Sequence, residues 1–404
     1  MLAIFIMFAT VVQVNADVVL EIADEPQSNG FPQWSPDGER IIYYALAGEN
    51  NIWNTNIKIM DSNGKNQSEI APGKHLGPFF IVFGFSQDKN IWSPDGNKII
   101  YSSTFGLNIG SKSIPLRTNF GIMNIDGTGK QKLKGTSSAE SCKWVQNGTK
   151  IFMVDRSNKL WLINPDGTNK VLLTQGEKND SQFLWQPRGN KIIYISKKAG
   201  NSDIWIMNSN GSEKKQLTFT NGNENNMDWS FDGSQIVYSY RDSVDKTNYE
   251  NYLNLSETIR IMDSNGKNKK QLTTANRNWD THPQWSPDGT KITFQRMDVG
   301  TPYNIALINS DGSNLTILTE NKTSDILPQW SPKEDKIAFT SSKDENMFVS
   351  VITLDDEWKS APAKDVVSVP TASQEKVEKA SGFTGVLVAI TFSIAFVLQK
   401  KKTN

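Results

Sequence analysis

The chain has 404 residues, and its 43 Lys+Arg balance 43 Asp+Glu to a formal net charge of zero. That balance gives no basic surface for a phosphate backbone, so nucleic acid is not an expected partner. The single cysteine, Cys142, rules out an intramolecular disulfide framework, and 10% aromatic content, much of it periodic, argues against disorder in the repeat region.

Taken in chain order, residues 2–14 are almost wholly apolar and uncharged, although no Lys or Arg precedes them. Val14-Asn15-Ala16 then has the small-residue pattern of a signal-peptidase site, so 1–16 reads as a signal peptide. Val18–Ile22 has the composition of a strand. Seven tryptophans follow, Trp34, Trp92, Trp144, Trp185, Trp229, Trp285 and Trp330, spaced 58, 52, 41, 44, 56 and 45 residues apart. Three of them open Trp-Ser-Pro-Asp-Gly: Trp34–Gly38, Trp92–Gly96 and Trp285–Gly289. Proline presets φ, aspartate bonds back to the backbone and glycine accepts positive φ, so each such segment predicts a tight turn.

One repeat reads as four strands. Strand A ends at the tryptophan. Strand B is an alternating run such as Lys98–Ser102 or Lys336–Phe339, and strand C a run such as Ile204–Met207 or Ile305–Ile308. A second turn, Asn164–Gly167 or Asp263–Gly266, leads to strand D, Lys-Gln-Leu-Thr at 215–218 and 270–273. The period predicts an all-β, seven-bladed β-propeller over residues 17–358. The last repeat has no clear strand D after Met347–Leu354, so residues 18–23 are expected to supply it and join the chain ends.

These repeats resemble those of TolB-like β-propellers, a branch of the WD-type superfamily. The resemblance covers about 18–358 and implies a propeller; TolB proper carries an N-terminal α/β domain before it, for which this sequence leaves no room, so a Tol-complex role is not carried over. The pectate-lyase-like members of the class bind metal through several histidines, whereas this chain has only His75 and His282. No Gly-x-Ser-x-Gly elbow is present, and the Asp/Asn-rich turns lack the distal glutamate of a calcium loop. No catalytic residue, metal ligand or cofactor is therefore expected.

Strand order puts the A–B and C–D turns on one face and the B–C and D–A loops on the other. Three insertions, 72–90, Thr104–Phe120 and Arg241–Glu257, all fall on the loop face, where binding function is expected. Candidate contact residues are Phe79, Phe80, Phe83 and Phe85 in the first insertion, Tyr249 and Tyr252 in the third, and His282 at the start of a strand A. An exposed patch and a core segment that folds over the channel mouth or extends a strand account equally well for the phenylalanines. Sequons stand at Asn66, Asn147, Asn179, Asn210, Asn254, Asn314 and Asn321.

Residues 359–381 read as a flexible stalk. Phe383–Leu398 is uncharged and precedes Lys400-Lys401-Lys402, which predicts a membrane-associated C-terminal transmembrane or sorting segment over 382–404. Ser381-Gly382-Phe383 resembles the Pro-Gly-Phe signals of archaeal surface proteins, with serine in place of proline. The expectation is an exported, surface-anchored, non-enzymatic scaffold that binds an envelope protein or surface glycan. A carbohydrate-active lyase or hydrolase with carboxylates in the central funnel is the alternative, and a structural envelope component a third reading.

Overall fold

The computed structural model describes residues 20–22, 28–47, 54–72, 74–76, 79–84, 91–109, 112–174, 177, 179–242, 256–319, 324–333, 335–343 and 346–354. Within them the Ser-Pro-Asp-Gly segments fold as anticipated. The Ser35 hydroxyl accepts from the Arg40 amide at 2.9 Å and donates to its carbonyl at 3.1 Å, while the Glu39 amide donates to Asp37. Gly38 takes φ 68°, a conformation costly to any residue with a Cβ. Ser93, Ser230 and Ser286 repeat the same serine–amide bond at 2.9 Å.

The turn fixes register. Each of the six tryptophans at the end of a strand A stands opposite the isoleucine seven residues later, as in Trp34↔Ile41, Trp185↔Ile192, Trp229↔Ile236 and Trp330↔Ile337. Trp92 makes the same pairing with Ile99, but as an isolated bridge. The indoles then tie neighbouring sheets together. Trp34 donates to the Gln329 carbonyl, Trp92 to that of Gln33 and Trp229 to that of Leu184, each on the strand A of the preceding sheet. The core lies between sheets: Trp34, Ile41, Tyr43 and Met60 pack on Ala338, Val349 and Val351 of the last one.

The described strands form six sheets. Five are blade-sized, four with four strands and one with five, and the sixth has eight strands. In the eight-stranded sheet, Glu257 of strand Glu257–Asp263 pairs in parallel with Trp279 of strand Asn278–Trp285, which fuses two repeats. The expected seven blades are thus corrected to five blades plus this double sheet. Tryptophans count repeats, whereas a backbone bridge decides whether two repeats share a sheet.

Strand Leu20–Ile22 pairs antiparallel with Asn346–Thr353, in register Leu20↔Val351, Glu21↔Ser350 and Ile22↔Val349. It supplies the fourth strand of the last sheet, so the two ends of the propeller segment meet there. The transmembrane helix in the expected fold class is not found among the described residues. No helix of the described residues is long and apolar enough to cross a membrane, and their helical content is one 3-10 turn, Gln146–Gly148. Residues 1–16, 359–381 and 382–404 lie outside the described residues.

Two insertions expected as irregular loops are instead a sheet extension. Strands Lys98–Ile109 and Lys112–Asn124 form one long hairpin, flanked by Phe79–Gly84 and then Lys74–Leu76. The sequence there is rich in Phe and Ile, which favour a pleated strand over a loop.

Candidate functional site at the loop-face mouth

The A strands of successive sheets contact one another, Asp180–Trp185 with Asn223–Trp229, that strand with Asn278–Trp285, then Ser324–Trp330 and Ser28–Trp34. They are therefore the innermost strands around the axis. Each of these five carries a bulge above its tryptophan, where register shifts between Gly30/Gln33, Ser181/Leu184, Asn225/Asp228, Thr281/Gln284 and Ile326/Gln329. At the bulge a non-glycine residue, three positions before the tryptophan, takes positive φ: Phe31, Gln182, Asn226, His282 and Leu327. All five keep contact with solvent.

Two residues nearer the loop face stands a polar residue, five before the tryptophan. It is Asn29, Asp180, Glu224, Asp280 or Asp325, and all are buried. Glu224 and Asp325 brace the strand. Glu224 accepts from the Thr218 hydroxyl at 3.1 Å and the Thr220 hydroxyl at 2.8 Å. Burial, with Asp203 nearby, pushes its carboxyl up to about 7. Asp325 accepts from the Ser341 hydroxyl.

Asp280 differs in its charged neighbour, although Asn29 and Asp180 also leave a buried Oδ1 without a hydrogen bond. Its Oδ2 accepts from Asn278 at 2.7 Å, but the buried Oδ1 has no hydrogen bond and faces the Arg296 Nε at 3.6 Å. The same Nε lies 3.6 Å from Asp298 Oδ1, so the two carboxylate oxygens are no more than twice that distance apart. Their surroundings differ sharply: the Asp280 side chain is 0% exposed and that of Asp298 64%. Burial pushes the Asp280 carboxyl up to about 6 despite the arginine. Arg296, Asp298, Arg277, Asn276 and Val299 line an adjoining cavity of about 560 Å3, with Leu315 and Ile317 as further walls. A second buried acid, Glu257, accepts from Ser239 at 2.6 Å and is likewise raised by burial.

The structure separates the residues singled out by sequence. His282 occupies the bulge of strand Asn278–Trp285, with φ 53° and its Nδ1 3.2 Å from the Thr281 hydroxyl. Burial pushes its imidazole down to about 4, so it is neutral at ordinary pH. Phe79, Phe80 and Phe83 are strand residues opposite Leu107, Gly106 and Ser103, in the sheet extension. Phe85, Tyr249 and Tyr252 lie outside the described residues, as do the sequons Asn254 and Asn321. Asn66, Asn147, Asn179, Asn210 and Asn314 are exposed. Asn66, Asn147 and Asn314 take positive φ, and Asn210 accepts from both the amide and hydroxyl of Ser212. Cys142 is fully buried, and burial pushes its thiol up, away from reactivity.

Comparison with known proteins matches residues 91–254 to the family model described as TolB beta propeller domain, so this part of the chain carries a TolB-like propeller domain. A dipeptidyl-peptidase 5 of Porphyromonas endodontalis is 26% identical over 134 residues, which cover 32% of this chain and 18% of that protein. Among solved structures, an oligogalacturonate lyase in complex with manganese superposes with TM-score 0.61 at 13% identity, covering 85% of this chain and 94% of that one. The Pyrococcus horikoshii acylaminoacyl peptidase gives TM-score 0.55 at 12% identity, covering 82% of this chain and 53% of that chain. At such identities the two structures share the fold with this chain. The chain spans less than a fifth of the dipeptidyl-peptidase it matches.

These comparisons correct the expectation of a non-enzymatic binding scaffold. The similar proteins are a lyase and two peptidases. The manganese of the lyase structure has no counterpart set here: among the described residues no group of three or more His, Cys, Asp and Glu could hold a metal ion.

Proposed function

We propose that this chain is a carbohydrate-active propeller enzyme, a lyase or hydrolase, working at the loop-face mouth of the eight-stranded sheet. The observation that carries this reading is the Asp280–Arg296–Asp298 group. Two carboxyls share one guanidinium, one buried with its proton affinity raised toward neutrality and one in solvent. Acid and base roles in sugar chemistry divide between carboxyls whose environments differ in this way. Asp280 holds the proton to be donated, Asp298 is the solvent-exposed partner, and Arg296 orients both. A substrate that draws Arg296 to itself uncovers the free Oδ1 of Asp280. The fold shared with the oligogalacturonate lyase along most of both chains supports the substrate class.

The test incubates the full chain with a panel of neutral and uronic-acid polysaccharides, measuring new reducing ends and unsaturated products. Product from at least one substrate, reduced at least a hundredfold in Asp280→Asn and Asp298→Asn, is expected. Equal activity in wild type and both variants would remove the assignment.

A second reading, a propeller that serves a peptidase, is supported by the match to dipeptidyl-peptidase 5, and peptide substrates in the same assay separate it. The apolar 2–14 and 383–398 segments support export to the cell surface, which fractionation of the native cells checks.

A further inference from the structure

We propose that the five bulge residues Phe31, Gln182, Asn226, His282 and Leu327 form a sugar-binding ring around the propeller axis; this rests on the carbohydrate reading above. Five A strands place a side chain at a backbone conformation that glycine adopts freely, with φ between 48° and 59°. Three of the bulges are held by a hydrogen bond to a side chain of the preceding repeat, and in one case that side chain is Gln182 of the ring itself. The Phe31 amide donates to the Thr340 hydroxyl at 2.9 Å, that of Asn226 to Gln182 Oε1 at 2.9 Å, and that of Leu327 to Gln295 Oε1 at 3.0 Å. In each case the preceding repeat clips the bulge in place. The residues so presented remain in contact with solvent on the innermost strands.

Their order round the axis is not mixed. Gln182, Asn226 and His282 come from consecutive A strands and form a polar arc of amide and imidazole groups. Leu327 and Phe31 follow as an apolar arc, and the Phe31 ring is held edge-on against Tyr44 at 5.8 Å. No residue of the ring carries charge, since burial keeps His282 neutral. A ligand fitted to this mouth has one apolar face and one edge of paired hydrogen-bonding groups, without a required charge. A pyranose ring has that form, with C–H groups on its faces and vicinal hydroxyls at its rim.

The test measures binding of the full chain to an array of neutral-hexose and uronic-acid oligosaccharides, beside a library of apolar peptides. Wild type is compared with Asn226→Gly, His282→Gly and Leu327→Gly. Each variant is expected to lose at least tenfold in sugar affinity while its melting temperature stays equal or rises, because glycine relieves the left-handed backbone. His282→Asn, which tolerates the same φ, is expected to retain the fold and lose affinity, and so serves if a glycine variant fails to fold. Unchanged sugar affinity in folded variants would overturn the ring while leaving the catalytic reading standing. Binding of peptides in place of sugars would also overturn it. A wild type that neither binds nor cleaves any sugar would remove the carbohydrate reading and the ring together.

Discussion

The two ends of strand A in this propeller obey different rules. At the turn end, the left-handed position belongs to glycine, serine and aspartate close on the backbone, and tryptophan meets isoleucine in every repeat. At the mouth end, six or more residues away, phenylalanine, glutamine, asparagine, histidine and leucine take the left-handed position instead. Carboxyls are buried beside them, and Asp180 Oδ1, Asp280 Oδ1 and Arg296 Nη1 lack hydrogen-bond partners. The first end satisfies local preference in its turns and register, although the buried Trp144, Trp285 and Trp330 indole nitrogens have no hydrogen-bond partner there. The second violates it repeatedly, as sites that act on a ligand tend to do.

The contrast can be broken at its strongest point first. Deleting Leu20–Ile22 removes the strand that joins first and last sheets and leaves Asn346–Thr353 as an open edge. A fall in melting temperature of roughly 10 °C or more is expected by calorimetry, and an unchanged transition would show that closure carries no stability.

The mouth end should respond to pH where the turn end does not. Glu224 binds its proton more tightly folded, at about 7, than the ordinary value of 4.5. Its contribution is fully present below about 4.5 and is lost as pH rises through 7. Glu224→Gln should therefore flatten the decline in denaturant stability between pH 5 and 8 by roughly 2–3 kcal/mol. A parallel decline in wild type and variant would show that Glu224 does not titrate as a buried acid.

The smallest expected effect compares two tryptophans at the turn end. The Trp229 indole donates to the Leu184 carbonyl, whereas the buried Trp285 nitrogen has no partner. Trp229→Phe should cost about 1 kcal/mol more than Trp285→Phe in urea unfolding, both losing similar apolar area. Equal costs would mean that the tryptophans act by packing alone.

Most of the scaffold was legible because its signals are local. Ser-Pro-Asp-Gly encodes a turn, seven-residue spacing from tryptophan to isoleucine encodes a register, and Val18–Ile22 stands where a missing strand is needed. The Glu257↔Trp279 bridge was not legible, since parallel contact between repeats leaves no mark in either strand. The 72–90 and 104–120 insertions read as loops because their length broke the period, although their β-rich composition pointed to strands.

The candidate site was hidden differently. Asp180, Glu224, Asp280 and Asp325 all stand five residues before a tryptophan, a periodic signal present in the sequence. What distinguishes Asp280 is its neighbour Arg296, from the opposing strand, and only pairing in space brings them together. His282 was visible as a lone histidine, but its left-handed bulge and its place on the axis were not.

Amide hydrogen exchange of the full chain, with and without a saturating mixture of neutral-hexose and galacturonic-acid oligosaccharides, bears most directly on the division between the two ends. Added protection at the A-strand bulges around Gln182, Asn226, His282 and Leu327, with none at the Ser-Pro-Asp-Gly turns, is the predicted result. Protection confined to the turns, or spread evenly over both ends, would contradict it.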